Sequence, residues 1–165
     1  MKAIIIIILC TLFAANAQGA PKERATRVHV DKSERLLHVY AGARKIATYK
    51  IGLGSAPLGH KLREGDRRTP EGRYTLDFKK RDSSYFRAIH VSYPNAADRA
   101  RARKLGVSPG GDIMIHGESN NALQREAIRH LPYRDWTYGC IALSNEDMQR
   151  LWDQVATPIP IDIVP

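Results

Sequence analysis

Two residues of this chain have the type and setting for covalent chemistry. Cys140 lies in Asp135-Trp136-Thr137-Tyr138-Gly139-Cys140-Ile141-Ala142-Leu143, and the pair His116-Gly117 precedes it by about two dozen residues. An ordinary thiol, with a pKa of about 8.5, is only a few per cent thiolate at neutral pH. A histidine that accepts its proton makes it a nucleophile. Gly117 and Gly139 let other backbone come close, and Gly139, Tyr138 and Gly117 are candidates for oxyanion binding and substrate positioning. This is the layout of a cysteine acyl-transfer site, with Cys140 as nucleophile and His116 as general base and acid. A thiol activated in this way is expected to alkylate well below pH 8.

Other readings of the same residues stay open. Free cysteines are commonly buried as small hydrophobes, and Ile141 and Leu143 give Cys140 apolar neighbours. Zinc held by Cys140, His116 and another histidine lacks any ligand pair at short spacing. Serine chemistry has less support still, because no Gly-x-Ser-x-Gly occurs.

The elements that must position this pair are mostly strands. Short alternating runs at 28–30, 36–40 and 46–51, separated by turn-formers, read as successive antiparallel strands. His29 and His38 fall inside them as ordinary strand residues. Residues 52–72 form a long Gly- and Pro-rich loop; Gly52-Leu53-Gly54 is no phosphate loop, since neither a helix nor a Lys-Ser/Thr pair follows. Strands are expected at 73–78 and 87–93, with a basic turn at 79–82, and 112–116 reads as a short strand that delivers His116 at its end. Asn95 caps a helix to 105 whose Arg99, Arg101, Arg103 and Lys104 make a solvated face, and 122–130 forms a second helix. Ser144 with Asp147 three residues on opens a third, in which Met148, Leu151, Trp152 and Val155 face the core. The run 159–164 is a last strand, placed at a sheet edge by Pro160. The fold class is mainly β (α+β): a single domain with two or three short helices.

The chain has 165 residues, with 26 Lys and Arg against 17 Asp and Glu, a formal charge of +9. Residues 1–17 read as an export signal: Lys2, an apolar run at 3–15 and a small-x-small site at Ala15-Asn16-Ala17. That run falls short of the roughly 20 apolar residues that span a bilayer, so the membrane is met only transiently, through the signal. Cys10, after the bulky Leu9, does not fit a lipidation site. Cleavage leaves about 148 residues, one domain's length, with a charge of +8 once Lys2 is gone. With Cys140 as the remaining cysteine, no intrachain disulfide forms even in an oxidising compartment. The spread of basic residues through the chain, with no nucleic-acid motif, points to an anionic envelope polymer or to a merely solvated surface, not to nucleic acid.

The motifs together resemble the L,D-transpeptidases of the YkuD family, marked by His-Gly followed by Ser/Thr-His-Gly-Cys, an aliphatic residue and commonly Arg. This chain has Ile115-His116-Gly117 and Thr137-Tyr138-Gly139-Cys140-Ile141-Ala142, with Gly65-Asp66-Arg67-Arg68-Thr69-Pro70-Glu71-Gly72-Arg73-Tyr74 and Tyr93-Pro94-Asn95 upstream. The resemblance covers residues 27–164 and implies a β-sandwich with short helices. It implies that Cys140 attacks the carbonyl of the diamino acid in a peptidoglycan tetrapeptide stem, D-Ala leaves, and an amine on another stem or a protein accepts the acyl group. With water as acceptor the same enzyme is a carboxypeptidase, and without turnover the domain is a wall-binding module. The location implied is periplasmic or secreted, in the cell envelope, and no metal or cofactor is implied. Two positions depart from the family: Tyr138 replaces histidine and Ala142 replaces arginine. If the family arginine holds a substrate carboxylate, Arg73 or Arg134 is the substitute expected here.

Overall fold

The computed structural model describes residues 23–129 and 135–165. The export signal, Cys10 and Arg134 lie outside the described residues. Among those described, the strands β1 (Arg27–Asp31), β2 (Leu36–Ala41), β3 (Arg44–Lys50), β4 (Gly72–Ser83), β5 (Phe86–Val91), β6 (Met114–His116), β7 (Ile141–Ala142) and β8 (Ile159–Val164) are joined by three helices, α1 (Ala96–Leu105), α2 (Ala122–Arg129) and α3 (Asn145–Gln154). The strands form one sheet in the order β3-β2-β1-β8-β4-β5-β6-β7, curled on itself. The mainly β expectation with short helices therefore holds.

Period-two alternation makes the core. Val28 and Val30, Leu37 and Val39, Tyr74 and Leu76, and Ile159, Ile161 and Ile163 are all buried and fall on one face of the sheet. The curl gathers this face into one cluster with Met148, Leu151 and Trp152 of α3. Each such aliphatic side chain contributes about 1.5–3 kcal/mol by leaving water. The caps are as the sequence indicates: Asn95 accepts from the amides of Ala97 and Asp98, Gly106 closes α1 in the left-handed region, and Ser144 accepts from the Asp147 amide.

Two elements differ from the sequence reading. The residues at 79–82 continue β4 instead of turning, and the ladder to β5 slips between Leu76 and Lys79 and again between Lys80 and Ser83. Two of their charges serve as a cover: Lys79 Nζ lies 4.8 Å and the Arg81 guanidinium 5.9 Å from the Trp152 ring centroid, joined by Arg87 of β5 at 5.1 Å, so the cations lie over the indole. The second difference is β8, which is central, parallel to β1 and antiparallel to β4. Pro160 is tolerated because the β1 ladder begins only at Val28 opposite Ile161, which leaves one side of the proline without a strand to donate to.

The loop between β3 and β4 is held by buried charge. Lys32, 2 % exposed, donates to Glu71 Oε1 (2.6 Å) and to the carbonyls of Gly59 and Thr69. Lys61 pairs with Asp66 at 2.8 Å, and Asp66 also accepts from the amides of Leu62, Arg63 and Arg68. The Glu71 amide donates to His60 Nδ1, and His60 Nε2 lies 3.1 Å from Asp98 Oδ1 and 2.7 Å from Arg101 Nη1. Asp98 further accepts from Tyr74 Oη, Arg101 and the Asn95 amide. Asp98→Ala leaves these buried donors unsatisfied and is expected to cost about 3 kcal/mol, read as a lower urea midpoint at unchanged m-value.

Candidate active site

The strands β6 and β7 pair in parallel, with Ile115 opposite Ile141 and His116 opposite Ala142. Both isoleucines are fully buried in the core. Because side chains alternate along a strand, His116, Ala142 and, one residue before β7, Cys140 turn to the opposite face. His116 and Cys140 line one cavity of about 470 Å³, with Trp136, Tyr138, Asp112 and Lys80 on its walls. Cys140 Sγ accepts from the Met114 amide at 3.4 Å and its thiol faces the Asp112 carbonyl at 3.6 Å.

The histidine is held in one tautomer. His116 Nδ1 lies 2.7 Å from the Gly117 carbonyl, which only accepts, so Nδ1 carries the proton and Nε2 keeps a free lone pair. The rings of Tyr85 and Trp136 flank the imidazole at centroid distances of 4.6 and 5.6 Å. Burial pushes the His116 pKa below its ordinary value, opposed by the Gly117 hydrogen bond. Burial pushes the Cys140 thiol up, opposed by the Met114 amide. Both shifts favour the neutral thiol and the neutral imidazole over an ion pair. This revises the expectation of alkylation well below pH 8, because desolvation acts against the thiolate.

The segment that carries Cys140 is fastened at several points. Asp135 takes Arg35 through Nε (3.0 Å) and Nη2 (2.7 Å) and also accepts from the Leu53 amide (2.9 Å). Backbone bonds join Thr137 to Leu53 and Ser55, and Gly52 to Ala142. The Gly52-Leu53-Gly54 run is thus a backbone rail for the site. Thr137 Oγ1 donates to the Cys140 carbonyl and accepts from the Gly139 amide. Gly139 has φ +128°, and a Cβ there would meet the Arg68 carbonyl oxygen at 2.7 Å. At Gly117 a Cβ would meet Asn145 Oδ1 at 2.6 Å, the same oxygen that accepts from the Glu118 amide.

The remaining sequence candidates are placed as follows. Tyr138 is 74 % exposed at the cavity lip, with the Arg67 guanidinium 5.2 Å from its ring centroid. Arg73 corrects the substrate-binding expectation: its side chain is 93 % exposed, pairs with Asp162 and lines neither of the two cavities of this region. The strand pairing of β4 with β8 carries it away from the thiol. Arg134 lies outside the described residues. Sequence reasoning passed over Asp135, Tyr85 and Trp136, which fix the loop and the imidazole; the Asp-Trp pair close before the cysteine was the available signal.

A curled sheet that presents a thiol and a single-tautomer imidazole at one cleft has the parts that thiol acyl transfer requires. The YkuD model, described as the L,D-transpeptidase catalytic domain, matches residues 25–163, and the chain belongs to this family. It is 31 % identical over 134 residues to YafK of Escherichia coli K12, which carries an L,D-transpeptidase name, covering 78 % of this chain and 46 % of that one. The helical cell shape determining protein Pgp2 from Campylobacter jejuni superposes with a TM-score of 0.67 at 28 % identity, over 86 % of this chain and 48 % of Pgp2. An L,D-transpeptidase from Mycobacterium smegmatis shares the fold, with a TM-score of 0.54 at 15 % identity over 86 % of this chain and 59 % of that one. The chain spans about half the length of the curated relatives it matches.

Two outcomes follow from this geometry. Alkylation of Cys140 by iodoacetamide is expected to reach half its limiting rate above about pH 8.5, the ordinary thiol value; a midpoint below pH 8 would show a preformed ion pair. Asp135→Ala releases Arg35 and the Leu53 amide, and thermal denaturation is expected to show a loss of about 1–3 kcal/mol.

Proposed function

We propose that this domain is an exported cysteine L,D-transpeptidase that cleaves the bond between the diamino acid and D-Ala in peptidoglycan tetrapeptide stems. The observation that supports it most is the meeting of Cys140 and His116 at one cavity through the β6–β7 register. His116 Nε2 takes the thiol proton as Sγ attacks the diamino acid carbonyl carbon. A carbon–sulfur bond forms, the carbonyl π pair moves to oxygen, and a tetrahedral oxyanion results. Collapse breaks the carbon–nitrogen bond, and the imidazolium returns its proton to the departing amine of D-Ala. An acyl-enzyme remains. An acceptor amine, deprotonated in turn by His116, then takes the acyl group to give a 3-3 cross-link and regenerates the thiol.

The oxyanion donors in this scheme are the amides of Tyr138 and Cys140, since the Gly139 amide is spent on Thr137 Oγ1. Tyr138, exposed at the lip, positions the stem, and Gly117 serves by letting Asn145 and Phe86 close behind His116. The site of action is the periplasm or cell surface, consistent with the family's peptidoglycan chemistry and the excess of basic residues over an anionic polymer.

Cys140→Ala is expected to abolish release of D-Ala from a tetrapeptide muropeptide while the far-ultraviolet circular dichroism is kept. Retained release would sink the proposal, and binding to isolated sacculi with no turnover by the unaltered protein would make it a wall-binding module instead. Mass spectrometry with a large excess of acceptor amine separates transfer from hydrolysis, because a hydrolase yields no cross-linked product. The pH dependence carries a sign. His116 must be unprotonated to act as base, and its pKa is lowered by burial, so the acid limb of kcat/KM is expected below the ordinary histidine value of about 6.5.

A further inference from the structure

The turn between β4 and β5 forms the wall that faces the imidazole, and its backbone is held in an unfavourable shape. Ser83 pairs with Phe86, so Ser84 and Tyr85 make the connection, and Phe86 sits at φ +61°. A left-handed residue after a tight turn is the place of glycine or asparagine, and a bulky aromatic there is an outlier. Something must hold it. Asn120 does so with three hydrogen bonds: its amide donates to the Ser84 carbonyl (2.8 Å), its Nδ2 to the Ser83 carbonyl (2.9 Å), and its Oδ1 accepts from the Phe86 amide (3.0 Å).

The shape of this turn decides where two aromatic rings go. Phe86 packs behind Gly117, where an added Cβ would meet the Phe86 Cβ at 3.0 Å, and the Tyr85 ring comes to 4.6 Å from His116 and 5.8 Å from Trp136. The Gly117 amide is shared between the carbonyls of Tyr85 (3.1 Å) and Arg87 (3.2 Å). Asn120 follows His116 closely in the chain, so the segment that carries the imidazole also reaches back to fasten the wall in front of it. That segment is anchored in turn by buried Ser119, whose Oγ donates to Gln124 and accepts from the Asn121 amide.

Water access, more than any single charge, sets the state of His116. Its ladder neighbours are Ala88 on β5 and Ala142 on β7. The groups of the cavity that carry or can take charge are Lys80, Tyr85, Asp112, Tyr138 and Cys140. Glu118 lies two residues on, Arg87 of β5 is turned to Trp152, and Glu146 and Asp147 of α3 pair with Arg150. The causes that shift the imidazole are its burial and the Gly117 carbonyl bond, and none of these charges is among them.

We propose that Asn120 is a positioning residue for the base: by locking the β4–β5 turn it holds Tyr85 over the imidazole and keeps water from His116. The role of His116 as base rests on the thiol acyl-transfer reading above; the placement of its ring does not.

The test follows the imidazole by its own titration, read by NMR from the His116 Cε1 proton and assigned as the signal lost in His116→Ala. In Asn120→Ala the wall opens, water reaches the ring, and the midpoint is expected to rise toward the ordinary histidine value of about 6.5. Tyr85→Ala is expected to give the same rise and Tyr85→Phe none. The double variant Asn120→Ala, Tyr85→Ala is expected to shift no further than Tyr85→Ala, because both changes act through one ring. Asn120→Ser keeps one short polar group and is expected to move the midpoint the same way by less, which carries the test should alanine fail to fold. Asp98→Ala, destabilising through α1, is expected to leave the midpoint in place. In turnover, Asn120→Ala is expected to lower kcat about tenfold with KM within about twofold, and to carry the acid limb upward with the NMR midpoint. An unchanged midpoint in folded Asn120→Ala, or a shift that adds to that of Tyr85→Ala, would overturn the assignment. Titration needs no turnover, so a rise in a protein that releases no D-Ala supports the placement of the ring and counts against the acyl-transfer reading alone.

Discussion

The burial of Ile115 and Ile141 side by side is the constraint from which the site follows. Once these two side chains enter the core in parallel register, the pleat leaves no freedom about where their neighbours point. His116 and Cys140 then share a face without any contact being required between them. A slip of one residue would send the imidazole inward and an isoleucine into the cleft. Core packing thus sets where the thiol and the imidazole stand.

Burial also decides the character of the pair. In an open cleft, a cysteine beside a histidine would tend toward thiolate and imidazolium. Here the aromatic rings of Tyr85 and Trp136 and the apolar sheet behind them remove water, which penalises both charged forms. In the proposed reaction, neutral ground states mean that the thiol gives up its proton only when a carbonyl arrives. The long loop over the site solves the reverse problem, placing Lys32 and Lys61 in the interior and matching them with Glu71, Asp66 and backbone carbonyls.

Much of this was legible in the residues, for identifiable reasons. Alternation located β1, β2 and β3 to within a residue or two at their ends, and side-chain caps fixed the starts of α1 and α3, because these signals are local. The place of β8 was not legible: Pro160 argued for an edge, and only the offset of the β1 ladder shows how a central strand accepts it. Positions 79–82 misled for a similar reason, since a basic run reads as a turn until Trp152 is brought beneath it. The thiol and imidazole were visible as a pair because few other residues suit covalent chemistry. What surrounds them was not, since Arg35 and Tyr85 reach this region from elements far from Cys140 in the chain.

The central position of β8 bears on how the molecule is made. It follows every other strand in sequence, yet it joins β1 on one side to β4 on the other. Without it the strands form two partial sheets, β1–β3 and β4–β7, joined only by the short bridges of Gly52 with Ala142 and Gly54 with Thr137 and not by a strand ladder. The assembly closes by inserting one late strand, a contact pattern of high sequence separation that folds slowly. A chain of this design keeps its two partial sheets from becoming one until β8 is in place, which makes that strand the keystone of the sheet.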